Sequence, residues 1–456
     1  MKFDILGTKL ITQSDGTIGI EQHKLIYDNV SSELTYEDGT EIPVKLVRPS
    51  DQRDYSHHRV APVITQQTPG VKSGKISTLK IQLGFSCNYS CNYCSQKFVE
   101  RGDQTNVKLV EKFLSNIDTW LLQPPKRIEF WGGEPFVYWK LLKPLAESLR
   151  AKFPKTRFSV ITNGSLLTYD INKWLEELGF SVAISHDGPG QHVRGPDPLK
   201  DPEQRAVILD LWNRLHDSGR LNFNSMINKH NLSRADIITY FDNIFNSPHT
   251  NYLIGEGGFI SAYDTDSLEN SSMSHKEYVE YRNRTLSEIQ QLKITKFQIF
   301  YSRLNDWINS FANKRPLSIL GQACAMDQQD FVTVDLRGNV ITCQNTTAAS
   351  TAPNGRSHMI GHVSNISNVK LTTSTSWMAR PNCSSCPIVQ ACRGNCMYLE
   401  GENFATTCEA YYNDHIPFFA AAIELATGIL PYEIHPHEGS LPPGREVLWT
   451  ETTDTH

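Results

Sequence analysis

The amino-acid sequence predicts an α/β protein: a partial (β/α)6 barrel, preceded by a small β-rich domain and followed by a cysteine-rich domain. Two observations predict this class. From Leu79 onwards, short apolar runs alternate with amphipathic helical segments, which is typical of a parallel sheet with crossover helices. The cysteines fall into two groups, one directly after the first apolar run and one beyond residue 320. We therefore expect metal ligands in both the barrel and the C-terminal region.

The composition limits the classes of function. The chain has 456 residues, of which 39% are hydrophobic and 20% charged, which is ordinary for globular domains. Its formal charge of −5 provides no basic surface, so we expect no nucleic-acid partner. The chain has no run of about 18 apolar residues and its start does not resemble a signal peptide, so we expect no membrane partner and a cytoplasmic location. In that reducing compartment, ten cysteines indicate metal ligation rather than disulfides.

Residues 1–75 are predicted to form the β-rich domain and a linker. Three short apolar runs are separated by hairpin-turn sequences at 14–17 and 37–40, and the runs lie at 3–6, 24–27 and 42–47. The stretch 50–74 is rich in polar residues, proline and glycine, and is predicted to be the linker. A β cap packed on the barrel is one interpretation of this region, and a module that binds part of a substrate is the other.

The predicted barrel covers residues 76–260. Six βα units predict an incomplete TIM-like barrel, in which the chemistry takes place at the carboxyl ends of the strands. The predicted strands are 79–83, 128–131, 157–161, 180–185, 221–227 and 252–254. Asp201 before Pro202 predicts a helix start, and Gly219 predicts a helix end. The rest of the chain is divided into a helical bridge over 261–319, a cysteine-rich domain over 320–412, and a C-terminal helix with an irregular tail over 413–456.

Three cysteines, Cys87, Cys91 and Cys94, follow the first strand within one tight loop. Thiolates are soft ligands that suit zinc or iron–sulfur clusters. A structural zinc site takes four ligands, whereas an iron–sulfur cluster held by three cysteines keeps one iron free for another molecule. Both interpretations remain open from this motif alone, since a distant fourth ligand would complete a zinc site.

The Cys-x-x-x-Cys-x-x-Cys spacing, with Tyr93 before the last cysteine, resembles the signature loop of the radical S-adenosylmethionine (SAM) enzymes. The resemblance implies a 4Fe-4S cluster at Cys87, Cys91 and Cys94 whose open iron chelates SAM. In that family one electron cleaves SAM to a 5′-deoxyadenosyl radical, which abstracts a hydrogen atom from the substrate. The resemblance also implies an external electron donor such as flavodoxin or ferredoxin.

Further segments at predicted strand ends resemble the SAM-binding segments of the same family. Its Gly-Gly-Glu-Pro segment holds the methionyl amino group, its Ser-x-Asp-Gly-Pro serine contacts the ribose, and a later arginine binds the carboxylate. The residues implied here are Tyr93, Gly132, Gly133, Glu134, Pro135, Asn163, Ser185 and Arg194. Arg194 comes after Ser185 in the sequence, as the arginine of the family comes after its serine, but the spacing here is shorter than usual. We expect the neighbouring His186 to be structural.

Seven cysteines lie downstream, which is too many for one site. Their spacing resembles the SPASM auxiliary-cluster domain of radical maturases that act on peptides and proteins. The resemblance implies two further 4Fe-4S clusters, one at Cys383, Cys386, Cys392 and Cys408 and the other at Cys324, Cys343 and Cys396. A pair of zinc-ribbon sites is the alternative. The second set has only three cysteines, so we expect its cluster to be incompletely ligated by thiolates.

Position 344 differs from the best-known proteins of this resemblance, the sulfatase maturases. There an aspartate occupies this position and acts as the base, whereas this chain has Gln344. An amide cannot act as a base near neutral pH, so oxidation of a sulfatase becomes a minority interpretation.

The sequence thus predicts a maturase that oxidatively modifies or crosslinks residues of a ribosomally synthesised precursor peptide. Bond formation after hydrogen abstraction releases an electron, and auxiliary clusters can accept it. A radical dehydrogenase of a small molecule and a non-enzymatic iron–sulfur carrier are the competing hypotheses.

Overall fold

The computed structural model describes residues 1–97, 99–100, 105–245, 252–261, 269 and 272–449. Its strands form two large sheets and one short ribbon. The strands are β1 (Lys2–Thr12), β2 (Ile18–Asp28), β3 (Glu33–Tyr36), β4 (Gly70–Val71), β5 (Thr78–Gln82), β6 (Arg127–Trp131), β7 (Arg157–Thr162), β8 (Phe180–Ser185), β9 (Leu221–Ile227), β10 (Ile254–Phe259), β11 (Phe331–Asp335), β12 (Asn339–Ile341), β13 (Met359–His362), β14 (Lys370–Leu371) and β15 (Leu430–Pro436).

The α-helices alternate with the parallel strands in the first half of the chain and form a layer of their own in the second half. Those within the described ranges are α1 (Val107–Trp120), α2 (Trp139–Lys152), α3 (Tyr169–Glu177), α4 (Pro202–Leu215), α5 (Arg234–Ile244), α6 (His275–Gln290), α7 (Gln298–Ala312), α8 (Val389–Cys392) and α9 (Gly401–Thr427). The predicted start of α4 is confirmed, because the Asp201 side chain accepts from the backbone N–H groups of Glu203 and Gln204. None of these helices is both long and apolar enough to cross a membrane.

The central sheet has nine strands in the order β10-β9-β8-β7-β6-β5-β11-β12-β13. The strands from β5 to β10 are parallel neighbours, which confirms the predicted α/β class. The last predicted strand begins at Ile254, so only the end of the predicted range 252–254 lies in it. Apolar residues of β5, such as Leu79 and Ile81, are fully buried, because helices cover this sheet.

The cysteine-rich region is continuous with this sheet. Its first strand, β11, pairs in parallel with β5, so Phe331 lies opposite Thr78. The next two strands, β12 and β13, extend the sheet in antiparallel fashion. The predicted linker is also tied to this region, because β4 pairs with β14. The cysteine-rich region is therefore held directly against the strand that leads into the first cysteine loop.

The N-terminal sheet is antiparallel and has the order β15-β1-β2-β3. Its third strand is β3, whereas the third apolar run, 42–47, lies outside the strands. The prediction of an irregular tail is wrong at β15, which pairs with β1 along most of its length. Within β15 and just beyond it, His435 contacts Glu433 at 3.0 Å and His437 contacts Asp4 at 2.7 Å, so each histidine has its own carboxylate partner.

Candidate functional site

A cavity of about 380 Å³ opens at the carboxyl ends of the parallel strands. It is lined by every residue for which the sequence implied a role at the first cluster or in SAM binding: Cys87, Cys91, Cys94, Tyr93, Gly132, Gly133, Glu134, Pro135, Asn163, Ser185 and Arg194. These residues come from loops that follow four different strands. The strand order brings them together, because neighbouring parallel strands end at the same edge of a sheet.

The cysteine loop is anchored on two sides. On one side, the Asn163 side-chain amide donates to Asn88 Oδ1 at 2.9 Å. On the other side, the Tyr89 hydroxyl donates to the Pro196 carbonyl at 2.7 Å, and the Asn92 N–H donates to the Val193 carbonyl at 2.9 Å. The loop is thereby held between the ends of β7 and β8.

None of the ten cysteines forms a disulfide. Burial raises the pKa of Cys87, and it raises the pKa of Cys91 to about 11. These groups are therefore protonated thiols near neutral pH when no cation is bound. Metal binding at the loop would release their protons.

The Gly-Gly-Glu-Pro segment packs backbone to backbone against the start of the cysteine loop. The Gly133 N–H donates to the Gly84 carbonyl at 2.9 Å, and the Glu134 N–H donates to the Ser86 carbonyl at 3.0 Å. A Cβ atom added at Gly133 would lie 2.5 Å from the Ser86 oxygen. Only glycine allows the two segments to approach this closely.

Glu134 is buried, with 1% of its surface exposed. Its carboxylate accepts from the Phe136 N–H at 3.1 Å, the Thr162 hydroxyl at 2.8 Å and the Asn163 N–H at 2.7 Å. Burial nevertheless raises the pKa of this carboxyl group, against the opposing effect of the hydrogen bonds. Two carboxylate oxygens have about four lone-pair positions, so one remains for a donor in the cavity.

Arg194 lies in a buried polar cluster with Tyr93 and Asp187. It donates to the Tyr93 hydroxyl at 2.6 Å and lies 3.5 Å from Asp187 Oδ1, while the Tyr93 hydroxyl donates to Asp187. Burial acts to lower the pKa of Arg194, but the neighbouring Tyr93 and Asp187 outweigh it, so the pKa is raised. The Arg194 Nε–H is buried and has no hydrogen-bond partner among the described residues. A ligand carboxylate in the cavity would satisfy it.

The two remaining strand-end residues, Ser185 and Asn163, differ in their contacts. Ser185 lines the cavity at the end of β8. The Asn163 side chain is engaged within the protein, because its amide donates to Asn88 and its oxygen accepts from the Ser165 N–H at 2.9 Å and the Ser165 hydroxyl at 2.6 Å. Asn163 therefore positions the cysteine loop. His186, expected to be structural, is buried and lies 2.9 Å from Asp197.

The cavity has a second wall, of which the sequence singles out only Gln344. Gln344 and Asn345 enter it from the cysteine-rich region, and Tyr411 enters from α9. The Gln82 side chain holds residues 344–346 in place by donating to the carbonyls of Gln344 at 3.1 Å and Thr346 at 2.7 Å. No local motif marks these contacts. Met226 and Phe259 also line the cavity and lie at the ends of β9 and β10, so the strand-end rule alone would have found them.

Four of the downstream cysteines surround a separate cavity of about 410 Å³: Cys383, Cys386, Cys392 and Cys408. These are the four that the SPASM resemblance assigns to one cluster. Burial raises the pKa of Cys383 to about 11 and that of Cys386 to about 12, and the charge of Cys408 adds to both shifts.

The other three downstream cysteines are Cys324, Cys343 and Cys396, and burial raises the pKa of each. Burial raises the pKa of Cys396, and the charges of Cys324 and Cys343 raise it further. Lys80 Nζ is 3.4 Å from Gln344 Oε1, and its charge acts to lower the pKa of both Cys324 and Cys343. Among the residues that the structure describes, no three His, Cys, Asp or Glu side chains converge closely enough for a single metal ion.

Comparisons with known proteins agree with this geometry. Residues 81–241 match the family described as the Radical SAM superfamily. The radical SAM cyclopropyl synthase TigE of Paramaledivibacter caminithermalis is 23% identical over 232 residues, which are 45% of this chain and 47% of TigE. The match thus spans about half the length of that curated relative.

Two solved structures share the fold. The first, native anSMEcpe with bound AdoMet, has a TM-score of 0.54 at 16% identity and covers 77% of this chain and 99% of its own. The second, anSMEcpe with bound AdoMet and Cp18Cys peptide, has a TM-score of 0.53 at 17% identity and the same coverage. These two likenesses show the fold, and the family match places residues 81–241, with the cysteine loop at the strand ends, among sequences similar to a radical SAM domain.

Proposed function

We propose that the chain is a three-cluster radical SAM maturase that oxidatively modifies or crosslinks residues of a ribosomally synthesised peptide. One observation carries the proposal. A single cavity brings together the three-cysteine loop, the Gly-Gly-Glu-Pro segment and the buried Arg194 on one side, and residues of the cysteine-rich region on the other. Chemistry on a bound substrate would therefore take place between the two cysteine regions.

The residues of the first cavity suit a cluster and SAM. Cys87, Cys91 and Cys94 supply three soft thiolate ligands. The remaining lone pair of Glu134 suits an ammonium donor, and the unpartnered Nε–H of Arg194 suits a carboxylate. When bound, the 4Fe-4S cluster and SAM supply a 5′-deoxyadenosyl radical.

The downstream cysteines suit two auxiliary 4Fe-4S clusters. Cys383, Cys386, Cys392 and Cys408 give a complete thiolate set around one cavity. Cys324, Cys343 and Cys396 give an incomplete set, which would leave one position for water, another side chain or the substrate. Such clusters supply an acceptor for the electron that is released when a substrate radical forms a new bond.

The other residues that line the first cavity support a peptide substrate. Asn224, Gln344 and Asn345 present side-chain amides, which can both donate to and accept from a peptide backbone. Met226 and Phe259 add apolar surface. An anSMEcpe structure contains a bound peptide, which agrees with such a substrate.

The test is anaerobic incubation of the reconstituted protein with reductant, SAM and short peptides encoded beside its gene, followed by mass spectrometry. We expect 5′-deoxyadenosine and a peptide product that has lost two hydrogen atoms. Replacing Cys87, Cys91 and Cys94 together by alanine should abolish both products and remove about four of about twelve irons. An unchanged iron content would refute the assignment of the first cluster. Formation of 5′-deoxyadenosine without any modified peptide would point instead to a small-molecule substrate.

A further inference from the structure

The tail beyond β15 places a buried arginine beside the four-cysteine cavity. Arg445 is 7% exposed and lines this cavity together with all four cysteines. One of its terminal nitrogens, Nη2, lies 3.6 Å from the sulfur of Cys408, at hydrogen-bonding distance for a thiolate. No other side-chain hydrogen bond to a cysteine sulfur of this cavity is seen within the described residues.

The position of Arg445 is fixed from several directions. Its guanidinium donates to Glu409 Oε2 at 3.0 Å and 2.7 Å and stacks over the ring of Tyr412 at 4.5 Å. The Tyr412 hydroxyl donates to the Arg445 carbonyl at 2.7 Å. The tail itself is tied to β15, because the Ile434 N–H donates to Glu446 and the Leu448 N–H donates to Tyr432. Burial acts to lower the pKa of Arg445, but the charges of Cys408 and Glu409 outweigh it.

We infer that Arg445 tunes the cluster held by Cys383, Cys386, Cys392 and Cys408, raising its reduction potential, with Glu409 as a partial counter-charge. This inference rests on the proposed assignment of a cluster to these cysteines. A hydrogen bond and a positive charge at a thiolate ligand stabilise the reduced, more negative state of an iron–sulfur centre. The effect suits a centre that must accept an electron. Arg445 is thus a positioning residue that acts through Cys408.

The test measures the potential of each cluster in the full-length reconstituted protein by a redox titration followed by electron paramagnetic resonance. In Arg445→Gln we expect one cluster to favour its oxidised state at least tenfold more, which is about 59 mV for one electron. In Glu409→Gln we expect a shift of the same cluster in the opposite direction, because the arginine charge loses its counter-charge. Arg356→Gln, which removes an exposed charge of the same region, is the matched control and should leave all potentials unchanged.

Opposite shifts distinguish tuning from structural damage, which would not change sign between the two variants. If Arg445→Gln does not retain the cluster, Glu409→Gln carries the test, and an unchanged potential in that variant would overturn the inference. Failure of the underlying assignment looks different. In that case Cys383→Ala with Cys386→Ala would leave the iron content of the otherwise unchanged protein intact.

Discussion

Replacing Gly133 by alanine tests the contact that joins the Gly-Gly-Glu-Pro segment to the cysteine loop. The added Cβ would lie 2.5 Å from the Ser86 carbonyl oxygen and 2.7 Å from the Phe85 oxygen. Both atoms belong to the backbone, so no side-chain rotation relieves the clash. The Gly133 backbone does not need the left-handed conformation, since its φ is not positive, and the effect is therefore steric.

The expected magnitude follows from the geometry. Overpacking a close contact costs about 1–3 kcal/mol. If the strain is relieved by moving residues 132–135 away from the loop, the same free energy is lost from SAM binding. Since 1.4 kcal/mol corresponds to a factor of ten, we expect SAM affinity to fall by roughly 5- to 150-fold.

The assay is equilibrium binding of SAM to the reconstituted protein, with the iron content measured in parallel. Gly19→Ala is the matched control. It makes the same chemical change at another glycine without a positive φ, and its nearest atom is the flexible end of the Gln13 side chain. If Gly133→Ala bound SAM as tightly as Gly19→Ala and with the same iron content, the close packing would have no role in the cofactor site.

Two further predictions concern buried charges. Arg194→Gln should destabilise the cluster-free protein by about 3–5 kcal/mol, because it leaves the fully buried Asp187 without its cation. In thermal unfolding, adding Asp187→Asn should restore part of the lost stability. Strictly additive losses in the double variant would contradict the coupling between the two residues. The second concerns His358, whose pKa burial lowers from 6.5 to about 4. As the pH falls, the unfolded chain therefore binds a proton first, and the free energy of unfolding should drop between pH 6.5 and 4 by at most about 3 kcal/mol. In His358→Leu this part of the pH dependence, measured by chemical denaturation, should be absent.

The parallel part of the fold could be predicted because its information is local. A strand such as Phe180–Ser185 is an apolar run bounded by helices, and its neighbours in the sheet are its neighbours in the sequence. The pairing of β11 with β5 joins residues about 250 positions apart, and no feature of either strand specifies that partner. The strand β15 escaped prediction because Pro431 and Pro436 are typical of irregular segments. It lies at the edge of its sheet, where proline is tolerated.

The same division applies to the site. The family resemblance named the residues of the first cavity, and the fold brings them together because parallel strands end at the same edge of a sheet. Asn163 lies where expected, but its side chain binds Asn88 and Ser165, a distinction that motif matching cannot make. Tyr411 and Arg445 come from a helix and a tail whose positions depend on packing between distant segments.

Helix α9 connects the two cavities. Cys408 and Tyr412, four residues apart and thus on one face of the helix, line the four-cysteine cavity, whereas Tyr411 lines the first cavity. Successive helical residues are rotated by about 100°, so a single turn presents side chains to both cavities. Asp414, on the next turn, is fully buried between Arg234 of α5, at 2.6 Å, and Arg303 of α7, at 2.8 Å. Because this ion-pair network fixes α9 against both helices, any shift of the helix would move Cys408 and Tyr411 together. The arrangement of the first cavity and the four-cysteine cavity therefore depends on the position of this one helix.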